Sequence, residues 1–375
     1  MSAILPGATI GILGGGQLGR MMAMAARSLG YRIHVMDPDP SCPARFVVDA
    51  CFEGSWDDAR AAADLARGSD VVTLEIEQIS LDCLRAAERF APVRPGIEMM
   101  RIIQNRILQK NWLRDEGFPI GEYRAIQDET EVAPSLAALG GKCFVKSASG
   151  GYDGRSQVKT GFDEQTPDVW KLLGGRPCIA EKALDLDQEI SVMVARSPRG
   201  ETKSFPSARN HHENQILVWS VIPSAVPQEI EQKAQQIACA IADRFELEGL
   251  LAVELFLTRS GELLVNELAP RPHNSYHASE RACVTSQFEQ AIRAVCDLPL
   301  GDVAVVQPAA ISNLLGDLWL GHEPRFDQAL TVPGVTLHLY EKHTPRKGRK
   351  MGHLSAIGAT PDEAVARVLE AQALL

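Results

Sequence analysis

Residues 250–275, LLAVELFLTRSGELLVNELAPRPHNS, read as two β-strands joined by a turn. The first strand, 250–258, is apolar except for Glu254. The second, 262–268, is apolar after its first residue apart from Asn266 and Glu267. Ser260-Gly261 supplies the turn, because glycine takes the positive φ that a tight hairpin needs. With that two-residue loop Arg259 faces Glu262, Leu257 faces Leu264 and Glu254 faces Glu267. Opposed side chains share one face, with Cβ atoms roughly 4.5–5.5 Å apart. Two carboxylates so placed repel each other, and burial raises the cost. A cation is therefore expected between them. Carboxylate and amide oxygens suit a hard ion, Mg²⁺ before Zn²⁺. The competing reading leaves one Glu on a solvated edge. Asn266 and the Pro-Arg-Pro-His-Asn that follows favour the metal site.

A chain of 375 residues is too long for one core and predicts two or three domains. Hydrophobic residues make up 45% and charged residues 23%, an ordinary globular balance. The net charge of −10 argues against a general nucleic-acid binder, so a phosphorylated substrate needs a local basic pocket. The eight cysteines form no C-x-x-C pair, as expected for reduced thiols in a cytoplasmic protein. The first residues carry no basic stretch ahead of an apolar run, so no secretory leader is expected, and no apolar run reaches the ~18 residues of a membrane span.

Residues 1–100 alternate strand and helix patterns. Strands are expected at 8–13, 32–36, 47–51 and 70–75, with helices at 59–67 and 81–90, the rhythm of a doubly wound sheet. Gly14-x-Gly16-x-x-Gly19 follows the first strand, and Asp37 lies near where a ribose-binding acid would sit. That motif leaves open NAD, another phosphorylated ligand held at the helix N-terminus, and a structural turn. Gln17 is placed to touch such a ligand. Glu75 and Glu77 alternate on one strand face, as ligand contacts or as solvated strand-end charges. One helix is expected over 97–117, carrying Arg106 and Lys110; the bland reading of Lys110 is a solvated basic edge.

The strand 143–147 ends in Lys146 and leads into the glycine-rich ASGGYDGRSQ, 148–157. Such a loop can close over a triphosphate and offer backbone N–H groups to it, with Lys146 as a point charge. It is not a P-loop. Strands follow at 178–182, 189–195 and 216–221, with a clear amphipathic helix over 228–245. Glu181, Lys182, Ala183 and Leu184 suit an adenine slot, and Glu189 suits ribose hydroxyls. His212 is placed near phosphate or is a structural histidine. A helix over 282–296 and a smaller region of short strands and a last helix, 361–374, complete the chain. Residues 341–353, EKHTPRKGRKMGH, concentrate Lys and Arg in an acidic protein. They read as a solvated face or as a phosphate pocket.

Taken together, Arg106, Lys146, GGYDGRSQ, EKAL, the Asn266-Glu267 pair, APRPHNS and GRKMGH resemble the ATP-grasp superfamily. Within it the chain looks like the N5-carboxyaminoimidazole ribonucleotide synthetases. That resemblance implies a Rossmann-like pre-ATP-grasp domain (1–100), an ATP-grasp domain of two subdomains (101–296) and a small C-terminal domain (297–375) that completes the substrate site. It implies ATP bound by Arg106, Lys146, Gly151, Tyr152, Asp153, Gly154, Arg155, Ser156, Gln157, Glu181 to Leu184, Glu189, His212, Asn266 and Glu267. Mg²⁺, or Mn²⁺, falls to Glu254 and Glu267. Tyr152, Asp153 and Arg155 would close on 5-aminoimidazole ribonucleotide. Arg271, His273 and Asn274 would surround the reacting carboxylate, and Lys342, Arg349 and Lys350 would take the 5′-phosphate. Lys146, Asp153, Arg271 and His273 are the expected catalytic groups. The implied reaction carboxylates that nucleotide with bicarbonate and ATP through carboxyphosphate, in a cytoplasmic homodimer acting in purine biosynthesis. Tyr276 and Ser156 stand where the family usually has glycine, and Lys347 where proline is frequent. Rival readings are a formate-dependent glycinamide ribonucleotide transformylase, a biotin-dependent carboxylase, an NAD oxidoreductase resting on Gly14–Gly19, and a catalytically dead nucleotide sensor.

Overall fold

The computed structural model describes residues 2–150, 157–162 and 168–375. Its N-terminal sheet holds β1 (Thr9–Leu13), β2 (Arg32–Asp37), β3 (Ala50–Glu53) and β4 (Val71–Leu74), all parallel, in the order β3-β2-β1-β4. Every residue of β1 and β4 is buried, as both faces of a helix-covered sheet require. The third strand starts three residues later than expected because Pro43–Val47 forms a 3₁₀ turn.

A second sheet, β5 (Tyr123–Ile126), β6 (Cys143–Ser147), β7 (Gln157–Thr160) and β8 (Cys178–Lys182), is antiparallel in the order β5-β8-β6-β7. The third sheet has nine strands: β9 (Leu186–Arg196), β10 (Thr202–Ser204), β11 (Ala208–Glu213), β12 (Ile216–Ile222), β13 (Gly249–Thr258), β14 (Leu263–Ala269), β15 (Ala309–Leu315), β16 (Val335–Leu339) and β17 (Lys350–Ile357). Its order is β14-β13-β9-β11-β12-β15-β17-β16, with β10 on β9. The strands of the C-terminal region thus join the sheet that carries the hairpin.

Two expected helices are each broken by a cap. The helix over 97–117 is instead Ile97–Ile103 and Arg106–Asp115. The Asn105 side chain accepts from the N–H groups of Ile107 and Leu108, so a new helix starts there and Arg106 occupies its first position. The helix over 282–296 divides into Ser279–Ala282 and Gln287–Val295, the second capped by Ser286.

The hairpin of β13 and β14 differs from expectation in a way that matters. Its loop is Arg259-Ser260-Gly261, three residues, with Gly261 at φ +82°. Leu257 consequently pairs with Leu263, not Leu264, and Leu255 with Val265. Continued unbroken, that register would set Glu254 opposite Asn266 and turn Glu267 to the other face. A β-bulge at Asn266 adds one unpaired residue, and beyond it Glu254 does pair with Glu267. Leu263, Val265 and Leu268 therefore all enter the core, while Asn266 and Glu267 both face away from it. Being an edge strand, β14 has backbone groups without a strand partner, and the chain before β5 supplies them. Val265 N–H donates to the Pro119 carbonyl (2.7 Å), Leu268 N–H to Gln109 Oε1 (3.2 Å), and Lys110 Nζ to the Val265 carbonyl (3.2 Å).

Candidate active site

The two antiparallel sheets enclose a cleft of about 390 Å³, lined from one side by β6 and β8 and from the other by β9, β13 and β14. On its carboxylate wall stand Glu254, Asn266 and Glu267. Asn266 Nδ2 donates to Glu254 Oε2 at 3.2 Å, while Asn266 Oδ1 is buried with no hydrogen-bond partner among the described residues. Burial, reinforced by Glu267, pushes the Glu254 carboxyl well above the usual carboxylate range. A buried acid repelled by its neighbour, beside an orphaned amide oxygen, is an oxygen-rich donor set short of positive charge. It fits a hard divalent cation.

Facing that wall, Glu181 lies between Lys146 Nζ (2.6 Å) and Lys110 Nζ (2.9 Å). Burial opposes its charge, but the two ammonium groups prevail and hold the Glu181 carboxyl down to about 2. Burial likewise disfavours the Lys146 charge, yet Glu181 and Glu267 outweigh it and raise its pKa. Lys146 is thus a fixed cation aimed across the cleft. Arg106 Nη2 lies 3.8 Å from Glu267 Oε1, and its Nη1 donates to the carbonyls of Ser147 (3.0 Å) and Gly150 (2.8 Å). The same guanidinium therefore faces the carboxylate wall and pins the start of the glycine-rich loop. Gly151, Tyr152, Asp153, Gly154, Arg155 and Ser156 lie outside the described residues. Gln157 opens β7 and lines the cleft.

At the far end of β8 the N–H groups of Lys182 and Ala183 donate to the carbonyls of Glu122 and Lys142 (3.0 and 2.9 Å). The Leu184 N–H has no partner among the described residues. Phe144, Leu186, Leu217 and Phe256 give this end apolar walls. His212 Nδ1 lies 2.8 Å from Glu189. Burial disfavours the imidazolium, but Glu189 more than offsets it and raises the pKa.

Beyond the carboxylates, His273 Nε2 is 3.4 Å from Glu254 and its Nδ1 is 2.8 Å from Ser275 Oγ. Burial, then Arg271, drives its pKa well below the usual value, so the ring is neutral. Arg271 Nε lies 3.1 Å from Glu77, and Asn274 Oδ1 lies 3.0 Å from His277 Nε2. Lys350 lines the cleft, whereas Lys342 and Arg349 do not. Lys342 Nζ meets Gln17 Oε1 (2.7 Å) and the Lys350 carbonyl (2.9 Å), and Arg349 donates to the Thr344 carbonyl. Tyr276 is fully buried behind the site. Its hydroxyl donates to the carbonyls of Ser191 and Pro206 (2.8 and 2.9 Å), so the residue in place of glycine fills core, not cleft.

The glycine motif 14–19 resolves as a structural turn. Gly16 and Gly19 N–H both donate to the Glu75 carboxylate at 2.8 Å, and Gly15 N–H donates to Asp37 (2.8 Å). The protein's own acid fills the anion position at the helix N-terminus, and the residue expected at a ribose braces the loop instead. NAD has no place there. Lys110 and Glu77, left open by the sequence, are drawn into the site as partners of Glu181 and Arg271.

Family comparisons agree with this geometry. Residues 111–288 match the ATP-grasp domain, 7–104 the ribonucleotide synthetase preATP-grasp domain, and 309–367 the phosphoribosylaminoimidazole carboxylase C-terminal domain. With two antiparallel sheets closing on a cleft of lysines and paired acids, they define an ATP-grasp enzyme. The N5-carboxyaminoimidazole ribonucleotide synthase of Bacillus subtilis (strain 168) is 41% identical over 362 residues, 96% of this chain and 94% of that protein. The crystal structure of an ADP complex of N5-carboxyaminoimidazole ribonucleotide synthetase superposes with TM-score 0.94 at 42% identity, over 99% of this chain and 98% of that one. The Aspergillus clavatus synthase in complex with ADP and 5-aminoimidazole ribonucleotide gives TM-score 0.90 at 31% identity, over 98% of each chain. The chain belongs to the N5-carboxyaminoimidazole ribonucleotide synthase family, enzymes of purine biosynthesis.

Proposed function

We propose that this chain uses ATP and bicarbonate to carboxylate the exocyclic amine of 5-aminoimidazole ribonucleotide. The observation that carries the reading is the bulged hairpin, which sets Glu254, Asn266 and Glu267 on one wall opposite Lys146 and Arg106. Adenine fits the apolar end, where the Leu184 N–H has no partner among the described residues, and Glu189 is placed for the ribose. Glu254 and Glu267, with Asn266 beside them, would hold Mg²⁺ or Mn²⁺. Bound there, the ion would neutralise charge on the phosphate oxygens.

The chemistry divides into two displacements. A bicarbonate oxygen attacks the γ-phosphorus, the bond to the β-phosphate oxygen breaks, and ADP leaves carboxyphosphate behind. Lys146, kept charged by Glu181, balances the negative charge that moves between phosphates. The amine nitrogen then attacks the carboxyl carbon, inorganic phosphate departs, and the amine loses a proton. Asp153 is the group assigned to take that proton; His273, whose Nδ1 accepts from the Ser275 N–H and whose Nε2 faces Glu254, lines the same cleft. Arg271, oriented by Glu77 at its Nε, would hold the carboxylate oxygens bidentately. Tyr152 and Arg155, with the rest of the Gly151–Gln157 loop, would exclude water from the short-lived intermediate. Asn274 sits beside this carboxylate region. Lys350, with Lys342 and Arg349 behind it, would take the 5′-phosphate.

We assign residues 1–100, 101–296 and 297–375 to the pre-ATP-grasp, ATP-grasp and C-terminal parts. Among the described residues no helix is long and apolar enough to cross a membrane. A cytoplasmic homodimer is the expected assembly, and sedimentation velocity tests it. The reaction itself is tested by ADP release with labelled bicarbonate. Release that requires both bicarbonate and the ribonucleotide, with label in the nucleotide product, supports the reading. Incorporation of labelled formate in its place would overturn it.

A further inference from the structure

At the edge of the nine-stranded sheet opposite to β14, a second pair of side chains meets across a strand ladder. His338 on β16 pairs with His353 on β17, and their rings stack with centroids 5.1 Å apart and planes 12° apart. Glu280, on the short helix Ser279–Ala282, joins them. One carboxylate oxygen and one nitrogen from each ring all lie within 4.8 Å of one another. None of the three lines the cleft described above. His353 is buried, His338 half-buried and Glu280 exposed.

The surroundings orient these donors. His353 Nδ1 lies 2.8 Å from the Tyr340 hydroxyl, which leaves Nε2 as the nitrogen available to a ligand. A bond of this kind on the far nitrogen fixes the tautomer and plane of a metal-bound histidine. His277 also stacks on His353, with centroids 4.8 Å apart. Its own nitrogens are taken up, Nε2 with Asn274 Oδ1 (3.0 Å) and Nδ1 with Gln287 Nε2 (3.2 Å), so it steadies the ring without competing for a ligand. Burial, then His338, lowers the His353 pKa to about 3, and burial lowers that of His338 as well; a neutral imidazole presents a lone pair. Among the described residues, neither the Glu280 carboxylate nor a His338 ring nitrogen makes a hydrogen bond or an ion pair.

We propose that Glu280, His338 and His353 form a binding site for Zn²⁺ or a similar borderline divalent transition metal, separate from the carboxylate wall of the cleft. Two imidazoles and one carboxylate are a zinc donor set, with the fourth position left to water on the exposed side. Mg²⁺, which takes oxygen ligands, is disfavoured here. A metal at this point ties the edge strand β16 and the helix Ser279–Ala282 to β17, and so guards the open edge of the sheet.

The test is equilibrium dialysis of the full chain against Zn²⁺ with saturating Mg²⁺ and ADP, counting bound zinc by mass spectrometry. Wild type is expected to retain one Zn²⁺ per chain more than either Glu280→Gln or His338→Gln. Glu280→Gln alters an exposed side chain, so its loss of zinc reads the ligand and not the fold. Tyr340→Phe, which removes only the orienting hydroxyl, is expected to weaken zinc binding about tenfold. Equal zinc content in wild type and both ligand variants, or no zinc in wild type, would overturn the proposal.

Discussion

The nine-stranded sheet carries a cross-strand pair of metal-capable side chains at each edge, Glu254 with Glu267 at one and His338 with His353 at the other. The acidic pair looks into the cleft, beside Arg106 and an amide oxygen with no partner among the described residues. The histidine pair lies off the cleft, on an orienting hydroxyl and beside one exposed carboxylate. The contrast teaches that directly opposed positions on a ladder supply only proximity. Donor chemistry and surroundings set the partner each pair could take: oxygen donors facing Lys146 and Arg106 suit a hard ion, imidazoles a softer one.

The largest effect expected to sharpen this contrast is at Glu267. Glu267→Gln should lower kcat on the order of 10²–10³-fold with an unchanged circular dichroism spectrum, because it removes stabilisation needed as charge moves between phosphates. Retained magnesium-dependent turnover would remove the division of labour between the two edges. His353→Gln, at the other edge, should abolish the additional zinc. On the opposite wall, Lys146→Met should lower kcat/KM for ATP roughly tenfold to a hundredfold, the range for losing one hydrogen bond from a charged donor. An effect confined to the ribonucleotide KM would place Lys146 at the wrong substrate.

A smaller effect concerns pH. Burial and Glu267 hold the Glu254 carboxyl above its ordinary value, so the fold favours its protonated form. The stability it contributes is full below the unfolded carboxylate pKa of about 4.3 and is lost as pH rises through the raised folded value. Glu254→Gln stays neutral throughout. Without divalent metal, that variant should melt about 2 °C above wild type at pH 8 and level with it near pH 4. A gap that does not change with pH would show that the acidic pair is not strained by its own charge.

Much of this was legible in the sequence because the signals were local. The alternation of strand and helix gave the parallel N-terminal sheet. Glu254 opposite Glu267 followed from a hairpin whose strands are neighbours in the chain. Even there the right pairing arose by a route the letters did not give plainly: a three-residue loop shifts the register, and a bulge at Asn266 restores it. The signal was present in the apolar positions 263, 265 and 268, whose last step is three instead of two. The helix break at Asn105 was similarly announced by a capping residue inside an apolar pattern. Glu75 could not be assigned, because a glycine loop that binds a foreign phosphate and one that binds the protein's own carboxylate have the same spacing. Lys110 and Glu77 gain meaning only from partners far away in sequence, Glu181 and Arg271. The histidine pair was hidden for that reason too: its strands are separated by residues 340–349 and its third donor comes from residue 280. Apolar walls such as Phe144 and Leu217 look the same in sequence whether they face a core or a cleft.

The Asn266 bulge puts both carboxylates on one wall, and we propose that together they hold the nucleotide's metal there. Counting bound Mn²⁺ by electron paramagnetic resonance, in the presence of ADP, tests it most directly. One Mn²⁺ per chain in wild type, lost alike in Glu254→Gln and Glu267→Gln, is the expected result. Full Mn²⁺ binding in either variant would contradict it.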